Sequence, residues 1–193
     1  MKNSLIIVVI LLVLTSCGDE KMNPKPPTYL RMDLPINGKS IDVVTQCGPK
    51  FQMSEFFTIE KTNKVEGNGA CSFDIDLGKL NGKIYCFYYQ LSTTDTLSKF
   101  INFANDKVDD HKVKATTIND FKILRPESKV FGTFFELEGD VATNFQFYLT
   151  DSSRHFFRAE LLLNARPNYD SLKPTLDYIK KDLEKIYTSF RWN

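Results

Sequence analysis

"NFQFYLTDSSRHFFRAELLL", residues 144–163, is the stretch that decides the fold. Two apolar, aromatic-rich runs flank Asp151, Ser152, Ser153 and Arg154. Asp and Ser favour turns because their side chains hydrogen-bond to nearby backbone. Runs this short, joined by so short a polar link, predict two antiparallel strands. Working upstream, "VFGTFFELEG" (130–139) adds a third strand and makes a meander. "CSFDIDL" (71–77) alternates Cys71, Phe73, Ile75 and Leu77 with Ser72, Asp74 and Asp76, the period of a half-buried strand. After the turn "GKLNG", "KIYCFYYQL" (83–91) is apolar enough for a central strand, and the two runs predict a hairpin. "YLRMDLP" (29–35) and "FFTIEK" (56–61) are shorter candidates.

Two segments change period from two to 3.6. In residues 96–114, Leu97, Phe100, Ile101, Ala104 and Val108 fall on one helical face. Near the C-terminus Leu172, Leu176, Ile179, Leu183, Ile186 and Phe190 form one apolar stripe. Asp170 or Ser171 is placed to cap that helix, with Pro174 in its first turn, where a missing N–H costs little. Apolar stripes must be buried against another element. The expected fold is α+β: a largely antiparallel sheet with two long helices packed on it.

The 193 residues are 42% hydrophobic, with 16 Phe and 8 Tyr and a formal net charge of +1. The aromatics suit a sheet core, and the balanced charge gives no sign of a nucleic-acid partner. At the N-terminus, Lys2 precedes the apolar run Leu5–Leu14, and Leu14-Thr15-Ser16-Cys17 then resembles a bacterial lipobox. Ten apolar residues are too few to span a bilayer, which takes about 20. Residues 1–16 therefore read as a lipoprotein signal peptide, with an ordinary secretory signal as the weighed alternative. Cys17 is the expected lipidation site and first mature residue. It would carry diacylglycerol and a further acyl chain such as palmitate, since one chain anchors only marginally. Residues 17–28 form a tether rich in proline and charge. Residues 29–193 are about the size of one domain.

Cys47, Cys71 and Cys86 remain. An exported compartment permits disulfides, and an odd count leaves at least one thiol unpaired. Cys71 and Cys86 lie in strand-like runs, which favours reading them as small buried hydrophobes.

Catalytic and metal chemistry find little support. His155 lies near Asp151, Ser152 and Ser153, but members of a Ser-His-Asp triad converge from separate elements and no G-x-S-x-G elbow is present. Asp106 and Asp110 near His111 are four residues apart, yet Lys107 and Lys112 interleave with them, the pattern of a solvated helix face. Asp74 and Asp76 lack the spacing of a calcium loop. No P-loop, dinucleotide fingerprint or zinc motif occurs. The expectation is no catalytic residue, no metal and no cofactor.

Two stretches carry a family resemblance. "PKPPTYLRMDLP" (24–35) resembles the opening signature of the gliding motility lipoprotein GldD family. Residues 147–192 resemble its C-terminal half through Leu-Thr-Asp-Ser, His-Phe, Arg-Pro-Asn, Asp-Ser-Leu and the terminal Phe-Arg-Trp. Weaker likeness runs through 111–118 and 126–140, whereas 36–70 diverge. The resemblance implies a lipid-anchored cell-envelope protein of gliding bacteria, required for gliding and tied to the type IX secretion apparatus. Its expected place is the outer membrane, facing the periplasm, with proteins of that machinery and the membrane as partners. No catalytic residue carries over. The late meander closed by a helix also looks like a PsbP/Mog1-type sandwich, a fold analogy that transfers no function. Three functional classes remain in play: an assembly component acting through protein contacts, a module binding a lipid or peptidoglycan fragment, and an envelope hydrolase.

Overall fold

In the computed structural model, residue 34 and residues 38–65, 69–91 and 94–192 are described. The signal peptide, Cys17, the tether and all of "YLRMDLP" except Leu34 lie outside the described residues. Leu34 itself packs, half-buried, against the main core.

The described strands are β1 (Ser40–Val44), β2 (Lys50–Ser54), β3 (Thr58–Val65), β4 (Ala70–Asp76), β5 (Gly82–Gln90), β6 (Ala115–Arg125), β7 (Val130–Gly139), β8 (Phe145–Thr150) and β9 (His155–Leu163). The helices are α1 (Thr94–Asp109) and α2 (Tyr169–Ser189). Strands β1 and β2 pair as a small hairpin, and the other seven form one sheet in the order β3-β4-β5-β9-β8-β7-β6. Every pairing in it is antiparallel. The expected α+β architecture is present.

Alternation along each strand gives the sheet two working faces. Phe73, Ile75, Ile84, Cys86, Phe134, Phe147, Phe157 and Leu161 point to one face. There α2 lays down Leu172, Leu176, Ile179, Leu183 and Ile186, the stripe visible in the sequence, while the β1–β2 hairpin adds Phe51 and Met53. Phe156 of β9 and Tyr148 of β8 point the other way and meet Leu97, Phe100, Ile101 and Ala104 of α1. The central strands are thus apolar on both faces, which explains the unbroken runs "FYY" and "HFF". Gly132 interrupts β7 because a Cβ there would lie 1.9 Å from the Tyr148 carbonyl oxygen.

Four sequence expectations need correction. Cys71 is buried but does not pack as a free hydrophobe: it is disulfide-bonded to Cys47, with Cα atoms 5.6 Å apart. Among the described residues only Cys86 is a free, buried thiol, and burial pushes its pKa well up. Helix α2 starts earlier than expected. Asn168, not Asp170 or Ser171, caps it by accepting a hydrogen bond from the Ser171 N–H. Pro174 therefore sits in the second turn, where it removes one backbone bond. The first helix ends at Asp109 rather than at 114, and 115–125, unassigned in the sequence, form edge strand β6.

The Cys47–Cys71 bond closes a loop of sequence separation 24 and ties the segment before β2 to β4. Constraining the unfolded chain over such a loop contributes about 3 kcal/mol. Replacing both cysteines with serine should lower the unfolding free energy by that amount in denaturant titrations. An unchanged midpoint would show that the cross-link contributes nothing.

Candidate functional site

The turn between β8 and β9 holds every polar residue that suggested a triad. Asp151 Oδ1 accepts hydrogen bonds from the N–H groups of Ser153, Arg154 and His155, each 2.9 Å, and Oδ2 accepts from Ser153 Oγ at 2.8 Å. Burial alone would raise its pKa, but the bonds from His155, Ser153 and Arg154 favour the carboxylate and the net shift is downward. Ser152 occupies the tip in a left-handed conformation, φ 64°. The His155 ring faces elsewhere. Its Nδ1 shares a hydrogen bond of 2.7 Å with the Tyr88 hydroxyl, its direction following the imidazole tautomer. The ring stacks on Tyr88 on one side and meets Trp192 with centroids 5.4 Å apart. Asp151 and Ser153 are brought together, but among the described residues no serine hydroxyl bonds to the imidazole. A nucleophile must reach its base, so this geometry does the work of a turn.

The other weighed acids also find local uses. Asp110 pairs with Lys107 at 2.8 Å and Asp109 with Lys112 at 2.7 Å along α1. Asp76 accepts from the Gly78 N–H at 2.6 Å. Among the described residues no group of three or more metal-ligating side chains forms.

A different place has the features of a contact site. On the α1 side of the sheet, Phe87 and Tyr89 of β5, Phe156 and Arg158 of β9, and Phe100 and Phe103 of α1 line a cleft of ≈ 110 Å³. Tyr89 and Phe100 meet with centroids 4.5 Å apart, and Phe100 and Phe156 at 5.3 Å, so the walls are held by aromatic packing. Phe103 forms the lip and is 49% exposed. The Arg158 guanidinium lies 5.9 Å from the Phe103 ring centroid. Although nearly buried, it is satisfied: Nη2 donates to Gln146 Oε1 at 2.8 Å and to Glu160 Oε2 at 2.5 Å. Gln146 Nε2, also buried, has no hydrogen-bond partner. Nearby His111 has a pKa lowered chiefly by its own burial, with Asp110 and Glu160 pulling the other way.

This cleft is not legible in the sequence. Its residues come from three elements, and each reads alone as ordinary core. The available signal is that Phe87-Tyr88-Tyr89 and Phe156-Phe157 are aromatic at consecutive positions, which requires cover on both faces.

The family model of the gliding motility lipoprotein GldD matches residues 19–192. The chain belongs to that family. No curated protein matches it. The match spans both sheet faces, both helices and the aromatic cleft. Among the described residues no helix is long and apolar enough to cross a membrane.

Proposed function

We propose that this lipoprotein is an assembly component of the gliding machinery and its type IX secretion apparatus. It acts through protein contacts from a lipid anchor on the periplasmic face of the outer membrane, and performs no chemistry. The observation that carries this reading is the size of the aromatic cleft. Pockets for drug-sized ligands measure roughly 300–1,000 Å³, and a dry cavity of about 150 Å³ holds one benzene. A cleft of ≈ 110 Å³ with an exposed phenylalanine at its lip suits one apolar side chain of a partner protein. An acyl chain or a glycan needs more room. The clefts of ≈ 320 and ≈ 460 Å³ elsewhere lie on the surface around β1 and β3, with polar and charged residues among their linings.

Colony spreading, measured beside protein abundance, tests the reading. Phe103→Asp should leave a stable, abundant and anchored protein yet abolish spreading, because a carboxylate at the lip opposes apolar insertion. Ser152→Ala and Ser153→Ala should spread normally. The second loses only a hydrogen bond to the Asp151 carboxylate, a class of bond contributing about 1.5–3 kcal/mol. Spreading retained in Phe103→Asp would sink the cleft as a contact site. Spreading lost in a stable Ser152→Ala or Ser153→Ala protein would favour the hydrolase.

A further inference from the structure

One corner of the molecule has another composition. Strand β1 runs from Ser40 to Val44, which pairs with Lys50 across the hairpin. Lys50 in turn exchanges two backbone hydrogen bonds with Arg191, of 2.9 and 2.8 Å. The next residue, Trp192, donates through Nε1 to the Lys129 carbonyl at 2.8 Å and lies against His155, which follows Arg154 in the chain. Arg125 reaches the same corner, donating through Nη1 to the carbonyls of Tyr187 and Phe190 at 3.1 and 2.8 Å. Burial lowers its pKa first and the Arg191 charge lowers it further, with Glu127 pulling the other way.

Lys50, Arg125 and Lys129 thus contact the chain end 190–192, which includes Arg191, and Arg154 adjoins His155, which meets that end at Trp192. None of the five has an acidic partner within 4 Å among the described residues. The nearby acids are few. Glu127 faces Arg125, Asp42 is held by Gln52, and Asp151 is consumed by its turn. Val44, Lys50 and Arg191 line an open cleft of ≈ 320 Å³. Val44 is 69% exposed. A chain of net charge +1 therefore places cations, an exposed valine and its one tryptophan at a single corner.

We propose that this corner is a second membrane contact, seating the domain on the anionic surface of the bilayer that carries its anchor. Arginine and lysine match lipid phosphates, tryptophan suits the headgroup level, and Val44 is exposed to enter the boundary. Each basic residue near an anionic leaflet strengthens binding about fivefold. The anchor makes the contact intramolecular, so a weak surface suffices. Residues 18–33, which precede Leu34 on the core, can span at most about 55 Å fully extended, which permits many orientations. The basic corner selects one of them.

Because Trp192 is the only tryptophan, its emission reports on this corner alone. The lipidated protein is reconstituted into vesicles of phosphatidylcholine, or of phosphatidylcholine mixed with phosphatidylglycerol, with and without brominated lipid. In the anionic vesicles Trp192 emission should shift to the blue and be quenched by bromine, and high salt should reverse both. The double variant Lys50→Glu, Arg191→Glu keeps its backbone pairing and should lose the shift and the quenching. Lys99→Glu, on α1 at the other sheet face, should keep them. Equal emission in neutral and anionic vesicles would overturn the proposal, as would quenching that survives the double variant. No quenching in protein-free membranes would also overturn it, pointing to a protein at this corner. Colony spreading plays no part in the readout, so this result and that of Phe103→Asp fail independently.

Discussion

Leu183→Ala should lower the unfolding free energy by about 2–5 kcal/mol, the usual range for truncating a buried leucine. Leu183 is 1% exposed and belongs to the same buried cluster as Phe51, Phe73 and Phe190. The cost combines lost transfer free energy with the cavity left where α2 meets the sheet. Collapse around that cavity is limited because strands on one side and the β1–β2 hairpin on the other fix its walls. Lys181, two residues away and exposed, should change stability by no more than about 0.5 kcal/mol when replaced by alanine. The measurement is the urea midpoint of each variant at an unchanged slope. Equal, small effects would mean that the stripe does not bear on the sheet.

The elements legible in the sequence were those whose burial follows one period. β4 alternates buried and half-buried positions from Cys71 to Leu77, and α2 keeps five of the six stripe residues on one line, Phe190 lying just past its end. β6 escaped because an edge strand is solvated on much of both faces. In "ATTINDFKILR" only Ile123 is buried, so neither period emerges. β1 escaped for a related reason. Its residues are exposed or half-buried, and the hairpin is held through Lys50 and Arg191, 141 positions apart in the chain. The cap of α2 was misplaced among three good capping types, and only geometry shows that Asn168 Oδ1 reaches the Ser171 N–H. Cys47 and Cys71 are joined by a tertiary approach that spacing cannot reveal.

The site divides in the same way. Local hydrogen-bonding chemistry was readable, and Asp151 does bind the backbone of its own turn. The aromatic cleft and the basic corner were not, since each is assembled from several elements. Lys50, Arg125, Lys129, Arg154 and Arg191 are scattered along a chain whose summed charge is close to zero. Their meeting is a product of the fold.

Cys17→Ser should abolish lipid labelling and leave the signal segment uncleaved. The family match begins at residue 19, two positions after this cysteine, so membership makes the chain a lipoprotein without testing the residue that carries the lipid. The expected chemistry is specific: the thiol would carry the diacylglycerol, processing would follow alkylation, and a serine hydroxyl is a poorer nucleophile. Each buried acyl CH₂ contributes about 0.8 kcal/mol to membrane affinity, so losing two or three chains removes the anchor altogether. The retained run Leu5–Leu14 is too short to replace it as a span of about 20 residues. Metabolic labelling with a fatty acid, gel mobility of the precursor and membrane fractionation read the three consequences separately. A Cys17→Ser protein that matures, labels and fractionates as the parent does would place the anchor elsewhere in the chain. If Cys17 is the site, the variant loses its hold on the envelope while the disulfide-tied fold survives, which separates the anchor from the surfaces it presents.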